Sequence, residues 1–210
     1  MQSSFRIPIF LILFVLGSLP LTAQNTQTDN PGKSTSKQSP AVKPTPDEPA
    51  SSKITFPDVD GWDRDEPYKY PTPDAGYSVN FNSRTNGRVT LYVYNGGHSK
   101  IPNELTGLVK EELEAAKAGI QAAVDAGIYG NLKESKMETV VLGGTKGKIS
   151  ALRSHFTLTR EGEKLNSDIY LFPYKNNFIK LRVTRPASTD KTMDESFANL
   201  LYEIDSLFTK

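Results

Sequence analysis

The 210-residue sequence contains no cysteine, and this absence limits how the chain can be stabilised. No disulfide can form, so stability must come from a buried core. A lipid anchor attached to a cysteine near the N-terminus is excluded for the same reason. The chain is long enough to build a core, because about 150 ordered residues bury roughly 70% of the surface that they expose when unfolded.

Motifs for catalysis are also scarce. The two histidines are His98, in a glycine-rich loop, and His155, on a predicted strand, and the sequence identifies no catalytic partner for either. No Gly-x-Ser-x-Gly motif occurs, so the serine hydrolases that use it are excluded. Residues 143–148 fail as a phosphate loop, because Leu142 stands where the first glycine is needed and a strand follows instead of a helix. We therefore assign no catalytic residue and expect no cofactor.

Long apolar runs are confined to the N-terminus, where residues 9–16 are uninterrupted. One arginine precedes this run, and small residues follow it up to Ala23. This order predicts a secretory signal peptide over residues 1–23, cleaved before Gln24. The run is shorter than the roughly 18 to 20 residues of a membrane-spanning helix. An uncleaved N-terminal anchor is the alternative.

We therefore expect an exported protein, periplasmic or secreted, with no transmembrane segment after the signal is removed. The whole chain has a formal charge of +1, and loss of the signal removes one arginine. A charge near zero gives no argument for a nucleic-acid partner.

Residues 24–53 have a different composition, rich in Ser, Thr, Gln, Asn, Lys and Pro, with Val42 as their only large apolar residue. Such a segment buries too little apolar surface to offset the entropy of ordering, which predicts a disordered linker. It would serve as a spacer or glycosylated stalk, or only as a leader that clears the export site. Residues 54–210 are predicted to form one globular domain.

Periodicity within 54–210 predicts the secondary structure. Alternating apolar residues indicate strands near 77–81, 88–94, 137–142, 148–159, 164–174 and 178–185, with a possible short strand at 54–56. Spacing of three and four residues predicts a helix over 105–128, ended by Gly130. A second helix carries apolar residues from Phe197 to Phe208, and Thr192 with Glu195 forms a capping box at its start.

Alternation along the strands gives the predicted sheet two different faces. One is apolar, and the other carries aromatic and basic residues. The first face is assigned Val89, Leu91, Val93, Leu152, Phe156, Ile169, Leu171, Ile179, Leu181 and Val183. The second is assigned Tyr92, Tyr94, Tyr170, Phe172, Tyr174 and Phe178, with Arg153, His155, Lys180 and Arg182. A face so aromatic does not suit contact with water. We expect an α+β fold in which an antiparallel β-sheet has a helix on each face, an α/β/α sandwich.

The opening strand Gly76-Tyr77-Ser78-Val79-Asn80-Phe81 resembles that of the PsbP-like and DcrB-like domains. A long helix, a charged central hairpin, the strand Asn177-Phe178-Ile179-Lys180-Leu181-Arg182-Val183 and a closing helix follow in the same order. The resemblance covers about residues 75–208. It implies an α/β/α sandwich and an exported or organellar accessory protein rather than an enzyme. The photosynthetic role of the best-known member does not carry over.

Basic and aromatic residues of the central strands form the first candidate site. Residues 145–185 hold nine Lys or Arg against three Asp or Glu, whereas both helices are acidic. The predicted ligand-binding residues are Tyr92, Arg153, His155, Tyr170, Lys180 and Arg182, with His98 in the neighbouring loop. They would hold an anionic or sugar-like ligand. The alternative is that basic strands and acidic helices neutralise each other.

An acidic segment forms the second candidate site, since Asp58, Asp60, Asp63 and Asp65 lie close together in sequence. Carboxylates at such density can bind calcium. The spacing is not that of an EF-hand loop, because Trp62 stands at a ligand position. A solvated acidic turn is the alternative.

These observations favour an exported, non-catalytic accessory or binding domain. Its partner would be another envelope protein or an anionic or sugar-like ligand. Two alternatives remain open: a hydrolase of cell-envelope polymers whose carboxylates the sequence does not pair, and a calcium-binding secreted protein.

Overall fold

The computed structural model describes residues 54–85, 87–188 and 191–209, with the backbone alone for 191–193. The predicted signal peptide, the predicted linker, Asn86 and the side chain of Thr192 lie outside these residues. The strands are β1 (Trp62–Arg64), β2 (Tyr68–Lys69), β3 (Tyr77–Ser83), β4 (Arg88–Tyr94), β5 (Gly130–Glu134), β6 (Glu138–Val141), β7 (Ser150–Arg160), β8 (Glu163–Tyr174) and β9 (Asn177–Pro186). The helices are α1 (Leu108–Asp125) and α2 (Lys191–Phe208). Neither helix has the length and hydropathy needed to cross a membrane.

All nine strands belong to one antiparallel sheet with the central order β3-β4-β9-β8-β7. At one edge, β1 and β2 pair with successive parts of β3. At the other edge, β5 and β6 pair with successive parts of β7. Both edges therefore consist of short strands, which limits the length of backbone open to pairing with another chain.

Each helix covers one face of this sheet. On the α2 face, Val79, Leu91 and Leu181 share a buried cluster with Leu200 and Ile204 of α2. On the α1 face, Leu171 and Phe156 share a second buried cluster with Leu113 and Ile120 of α1. The expected α+β fold with an antiparallel sheet and two helices is confirmed, and the two clusters place the helices on opposite faces.

The register corrects the assignment of β7 and β8 to the two faces. Tyr170 lies opposite Leu181, and Phe172 lies opposite Ile179, so both aromatic residues belong to the α2 face. Residues directly opposite each other across antiparallel strands share a face. The predicted residues of β4 and β9 share faces as expected. Those of β7 and β8 were each assigned to the wrong face relative to them. When both faces of a sheet are apolar, the sequence does not show which residues of one strand lie on the same face as those of the next strand.

Helix α1 ends earlier than its apolar pattern predicts. Gly127 adopts a left-handed conformation (φ +73°). The amides of Gly127 and Ile128 donate to the carbonyl oxygens of Val124 and Ala123, which is the Schellman arrangement that ends helices. The predicted stop at Gly130 was wrong, because that residue begins β5.

Four further elements differ from expectation. Residues 54–56 form no strand, although Phe56 is buried in the α2-face cluster. Strands β1 and β2, which lie in and beside the acidic segment, were not predicted, and neither was β5. These strands are short or mostly exposed, so they lack the apolar alternation by which strands are detected in sequence.

The glycine-rich turn between β6 and β7 is tied to α2. Buried Asp205 accepts hydrogen bonds from the backbone amides of Lys148 (2.8 Å) and Ile149 (2.7 Å). A Cβ added to Gly147 would lie 1.5 Å from the carbonyl oxygen of Leu142, so this position requires glycine. The turn therefore has a structural role, and part of its amide donors serve Asp205 rather than a phosphate.

We expect Asp205→Ala to lower the free energy of unfolding by about 1–3 kcal/mol, because two amides lose their acceptor. Asp205→Asn should cost less, since its side-chain oxygen can still accept. Urea denaturation followed by circular dichroism measures both variants. Equal midpoints for Asp205→Ala and the unmodified chain would contradict this role.

Candidate functional site

Helix α1 covers only part of its face of the sheet. Its buried cluster lies over β7, β8 and one end of β9. Over β3, β4 and the rest of β9, the side chains are polar or aromatic, and apart from buried Ser78 they are half-buried or exposed. We call this region, together with Tyr68 of the neighbouring β2, the open half of the α1 face; its residues are Tyr68, Ser78, Asn80, Asn82, Arg88, Thr90, Tyr92, Lys180, Arg182 and Thr184.

The register orders the open half into three rows that run across the strands. The first row leads from Tyr68 on β2 through Ser78 and Tyr92 to Lys180. The second row contains Asn80, Thr90 and Arg182, and the third contains Asn82, Arg88 and Thr184. Aromatic side chains therefore dominate one row, whereas amide, hydroxyl and guanidinium groups fill the other two.

Lys180 lies between two tyrosine rings. Its Nζ is 4.8 Å from the ring centre of Tyr92 and 4.9 Å from that of Tyr94. The pKa of Lys180 is lowered to about 8, chiefly by burial; the charge of Glu112 on α1 opposes this shift, and the charge of Arg182 adds to it. Glu112 itself accepts a hydrogen bond of 2.6 Å from the Tyr94 hydroxyl. The ammonium group thus lies within cation–π distance of both rings.

The two arginines of the open half bond to neutral groups. Arg182 donates through Nε to the Ser167 hydroxyl (3.0 Å), and Arg88 donates through Nε to the Asn82 amide oxygen (3.0 Å). Burial lowers the pKa of Arg182. Within the described ranges, neither arginine nor Lys180 lies within ion-pair distance of a carboxylate.

His98 lies at one end of this surface. Its ring is edge-on to Phe178 at 5.9 Å, and Phe178 contacts Tyr94 at 5.6 Å. The loop before α1 is fixed from the opposite hairpin, where the Asn176 side chain accepts from the Ile101 amide and donates to the Ser99 carbonyl. Four of the predicted ligand-binding residues thus belong to one region: His98, Tyr92, Lys180 and Arg182.

The other three predicted residues lie on the opposite side of the sheet. Arg153 pairs with Tyr170, and His155 pairs with Asp168, on the α2 face. The single basic and aromatic patch expected from the sequence is therefore divided by the sheet into two separate groups. The cause is the wrong assignment of β7 and β8 to the two faces, as described above.

Asp168 is the centre of the group on the α2 face, and its side chain is 0% exposed. Arg153 donates two hydrogen bonds to its Oδ1 (3.0 and 2.7 Å), and Arg185 donates one to its Oδ2 (2.9 Å). His155 Nδ1 lies 2.9 Å from Oδ1. Because an ionised carboxylate only accepts, this nitrogen carries the proton.

Burial alone would raise the pKa of Asp168. The charge of Arg153 and the hydrogen bonds from Arg153, His155 and Arg185 outweigh burial, so the pKa is lowered. Asp168 therefore stays ionised at neutral pH, with its oxygens already bonded. This arrangement suits an internal ion network better than a proton donor.

The aspartates predicted to bind calcium do not converge. Asp58 pairs with Arg64 at 3.5 Å, and Asp63 lies 3.9 Å from Arg84. Asp65 accepts from the amides of Asn80 and Asn82. Asp60 lines an open cavity of about 440 Å³ beside α2. In the described part of the chain, no three His, Asp or Glu side chains are grouped as a metal would require.

Sequence reasoning missed Asp168 and Arg185, although both lie in predicted strands. Cross-strand pairing brings them together with Arg153, and register is not visible in composition. Tyr68 was also missed as part of the open half, because β2 was not predicted. A tyrosine 52% exposed to solvent gives no periodic signal.

No family model and no curated protein matches the chain. Among solved structures, it is similar to cyanobacterial PsbP (CyanoP) from Synechocystis sp. PCC 6803, determined in solution. The two share 11% sequence identity with a TM-score of 0.46, over 67% of this chain and 79% of the other. The chain therefore resembles PsbP, as its sequence predicts, and the likeness is one of fold alone.

Proposed function

We propose that this protein is an exported, non-catalytic binding domain that holds an anionic ligand on the open half of the α1 face. The observation that carries the proposal is the set of three cations on this surface, Arg88, Lys180 and Arg182. No described carboxylate lies within ion-pair distance of them. Export rests on the sequence of residues 1–23, which has the order of a secretory signal.

The positions of these cations favour binding over a purely structural role. Burial of Lys180 disfavours its charged form, and this outweighs the nearby charge of Glu112. An anion that binds beside it would stabilise that charge. Arg182, one row away on the same strand, offers further N–H groups, and guanidinium groups bind carboxylates and phosphates in a fixed geometry.

The hydrolase alternative finds less support. The buried carboxylate on the α2 face, Asp168, has a lowered pKa and three bonded partners. A general acid needs a pKa near the working pH and a proton to give. Asp168 fits neither requirement.

Calorimetric titration with short-chain polyphosphate at low ionic strength tests the proposal. We expect binding that weakens as salt is added, and at least a tenfold loss of affinity in the double variant Lys180→Met, Arg182→Gln. Each charge-assisted contact contributes about 1.5–3 kcal/mol, and 1.4 kcal/mol corresponds to a tenfold change.

The matched control is Lys164→Met, Arg160→Gln, which removes the same charge from exposed positions at the far end of β7 and β8. It should bind like the unmodified protein. Equal losses in both double variants would show that only net charge matters. That result, or no binding by the unmodified protein, would refute the proposed site.

A further inference from the structure

Aromatic side chains extend the open half towards β2. Tyr68 is 52% exposed and meets Tyr70 edge-on at 5.1 Å. The Tyr70 hydroxyl donates to Ser78 (3.2 Å), which lies beside Tyr92 in the first row. With Lys180 at its end, this row spans four strands, or roughly 14 Å at the usual strand spacing. The row is long enough for an extended ligand rather than a single small anion.

The second and third rows offer hydrogen bonds instead of rings. Asn80 donates to Asp65 and accepts from Thr90, and Asn82 accepts from Arg88. These groups are half-buried or exposed, and each amide has capacity for further hydrogen bonds. Successive rows are two residues apart along a strand, about 6.7 Å. Apolar ring faces and polar groups therefore lie side by side, within reach of one ligand unit.

From this juxtaposition we infer that the anionic ligand is an acidic oligosaccharide, whose sugar rings lie against Tyr68 and Tyr92 and whose carboxylates bind Lys180 and Arg182. The inference rests on the proposed function and specifies its ligand. A sugar ring presents an apolar face of C–H groups and a rim of hydroxyls, and an acidic sugar adds one carboxylate to each unit. The tyrosine rings match the apolar face, the amide and hydroxyl side chains match the sugar hydroxyls, and Lys180 and Arg182 match the carboxylates.

Single-stranded nucleic acid is the other polymer that binds aromatic and basic residues on a sheet. Two observations favour the sugar. The formal charge of the chain is only +1, whereas nucleic-acid binding draws on a strongly basic surface. The rings available for stacking, those of Tyr68 and Tyr92, lie one row away from Asn80 and Thr90, and these polar groups match the hydroxyls of a sugar.

The test compares four probes by calorimetry: an oligogalacturonate hexamer, neutral maltohexaose, short-chain polyphosphate and single-stranded oligo(dT). We expect the oligogalacturonate to bind at least tenfold more tightly than the other three. Tyr68→Ala should weaken oligogalacturonate binding about fivefold to tenfold and leave polyphosphate binding unchanged, because Tyr68 carries no charge. This exposed side chain lies outside both buried clusters, so its removal leaves the fold intact.

Val141→Ala is the matched control, because Val141 is also an exposed apolar side chain (46%) but lies on β6 at the other edge of the sheet. It should bind the oligogalacturonate normally. If polyphosphate bound as tightly as the oligogalacturonate and Tyr68→Ala had no effect, the sugar ligand would be contradicted, whereas the anion site would stand. Tighter binding of oligo(dT) or equal binding of maltohexaose would also overturn it. Failure of all four probes would overturn the anion site as well.

Discussion

Replacing Asp168 with alanine should lower the free energy of unfolding by about 3–5 kcal/mol at pH 7. The substitution leaves Arg153, Arg185 and His155 around a buried position without their shared carboxylate. Removing one partner of a buried ion pair costs about this much, because Arg185 loses its carboxylate partner and Arg153, among the described residues, keeps only the exposed Glu138. Urea unfolding monitored by tyrosine and tryptophan fluorescence gives the value.

Glu138→Gln is the control for this prediction. Glu138 also accepts from Arg153, at 3.0 Å, but its side chain is 53% exposed. Exposed ion pairs contribute about 0–1 kcal/mol, so this variant should unfold almost as the unmodified chain does. Similar losses in both variants would contradict a buried network centred on Asp168.

The network also predicts a dependence on pH. The pKa of Asp168 is lower in the folded chain than its ordinary value. Its contribution to stability is therefore complete above the unfolded pKa of about 3.9, and is lost as the pH falls through the lower, folded value. Between pH 5 and pH 2, the Asp168→Ala variant should lose less of its remaining stability than the unmodified protein.

Raising the pH from 7 to 9 should weaken the binding of polyphosphate about tenfold, because Lys180 loses its charge near pH 8. The ionisable groups around this ammonium are Tyr92, Tyr94, Glu112 and Arg182. Burial raises the pKa of both tyrosines, so they stay neutral at pH 9. Lys180→Arg should bind equally at both pH values, since a guanidinium does not titrate there.

The same lysine should make the folded protein less stable than it could be. Its lowered pKa means that the charged form costs stability below pH 8, and that this cost falls as the pH rises from there towards the unfolded value of about 10.4. We expect Lys180→Met to gain about 1–2 kcal/mol at pH 7, after the lost contacts with the tyrosine rings are subtracted. A less stable variant would indicate that Lys180 serves the fold rather than a ligand.

Much of the fold could be predicted because its main elements have strong periodic patterns. Strands β7, β8 and β9 follow the alternation of apolar residues, and both helices follow their spacing of three and four residues. Where a glycine decides a boundary, the pattern fails: Gly127 ends α1 through its own backbone conformation, although apolar residues continue to Ile128. Edge strands such as β5 bury too little to leave a pattern.

The candidate site was predicted in part for a different reason. The types of its residues were evident, but their grouping depends on register. Tyr92 and Lys180 were correctly assigned to one face, because β4 and β9 are direct neighbours with similar patterns. Arg153 and Tyr170 were joined to them wrongly, since a sheet covered on both faces gives no polar side from which to fix the phase.

The cover that α2 provides has a consequence for biosynthesis. Helix α2 follows every strand in the chain, yet it supplies Leu200 and Ile204 to the cluster that buries Leu91 and Leu181. A nascent chain that has reached only β9 can pair its strands, but one side of the sheet remains apolar and exposed. Such intermediates are prone to aggregate. Folding can therefore be completed only after residues 191–208 have been added.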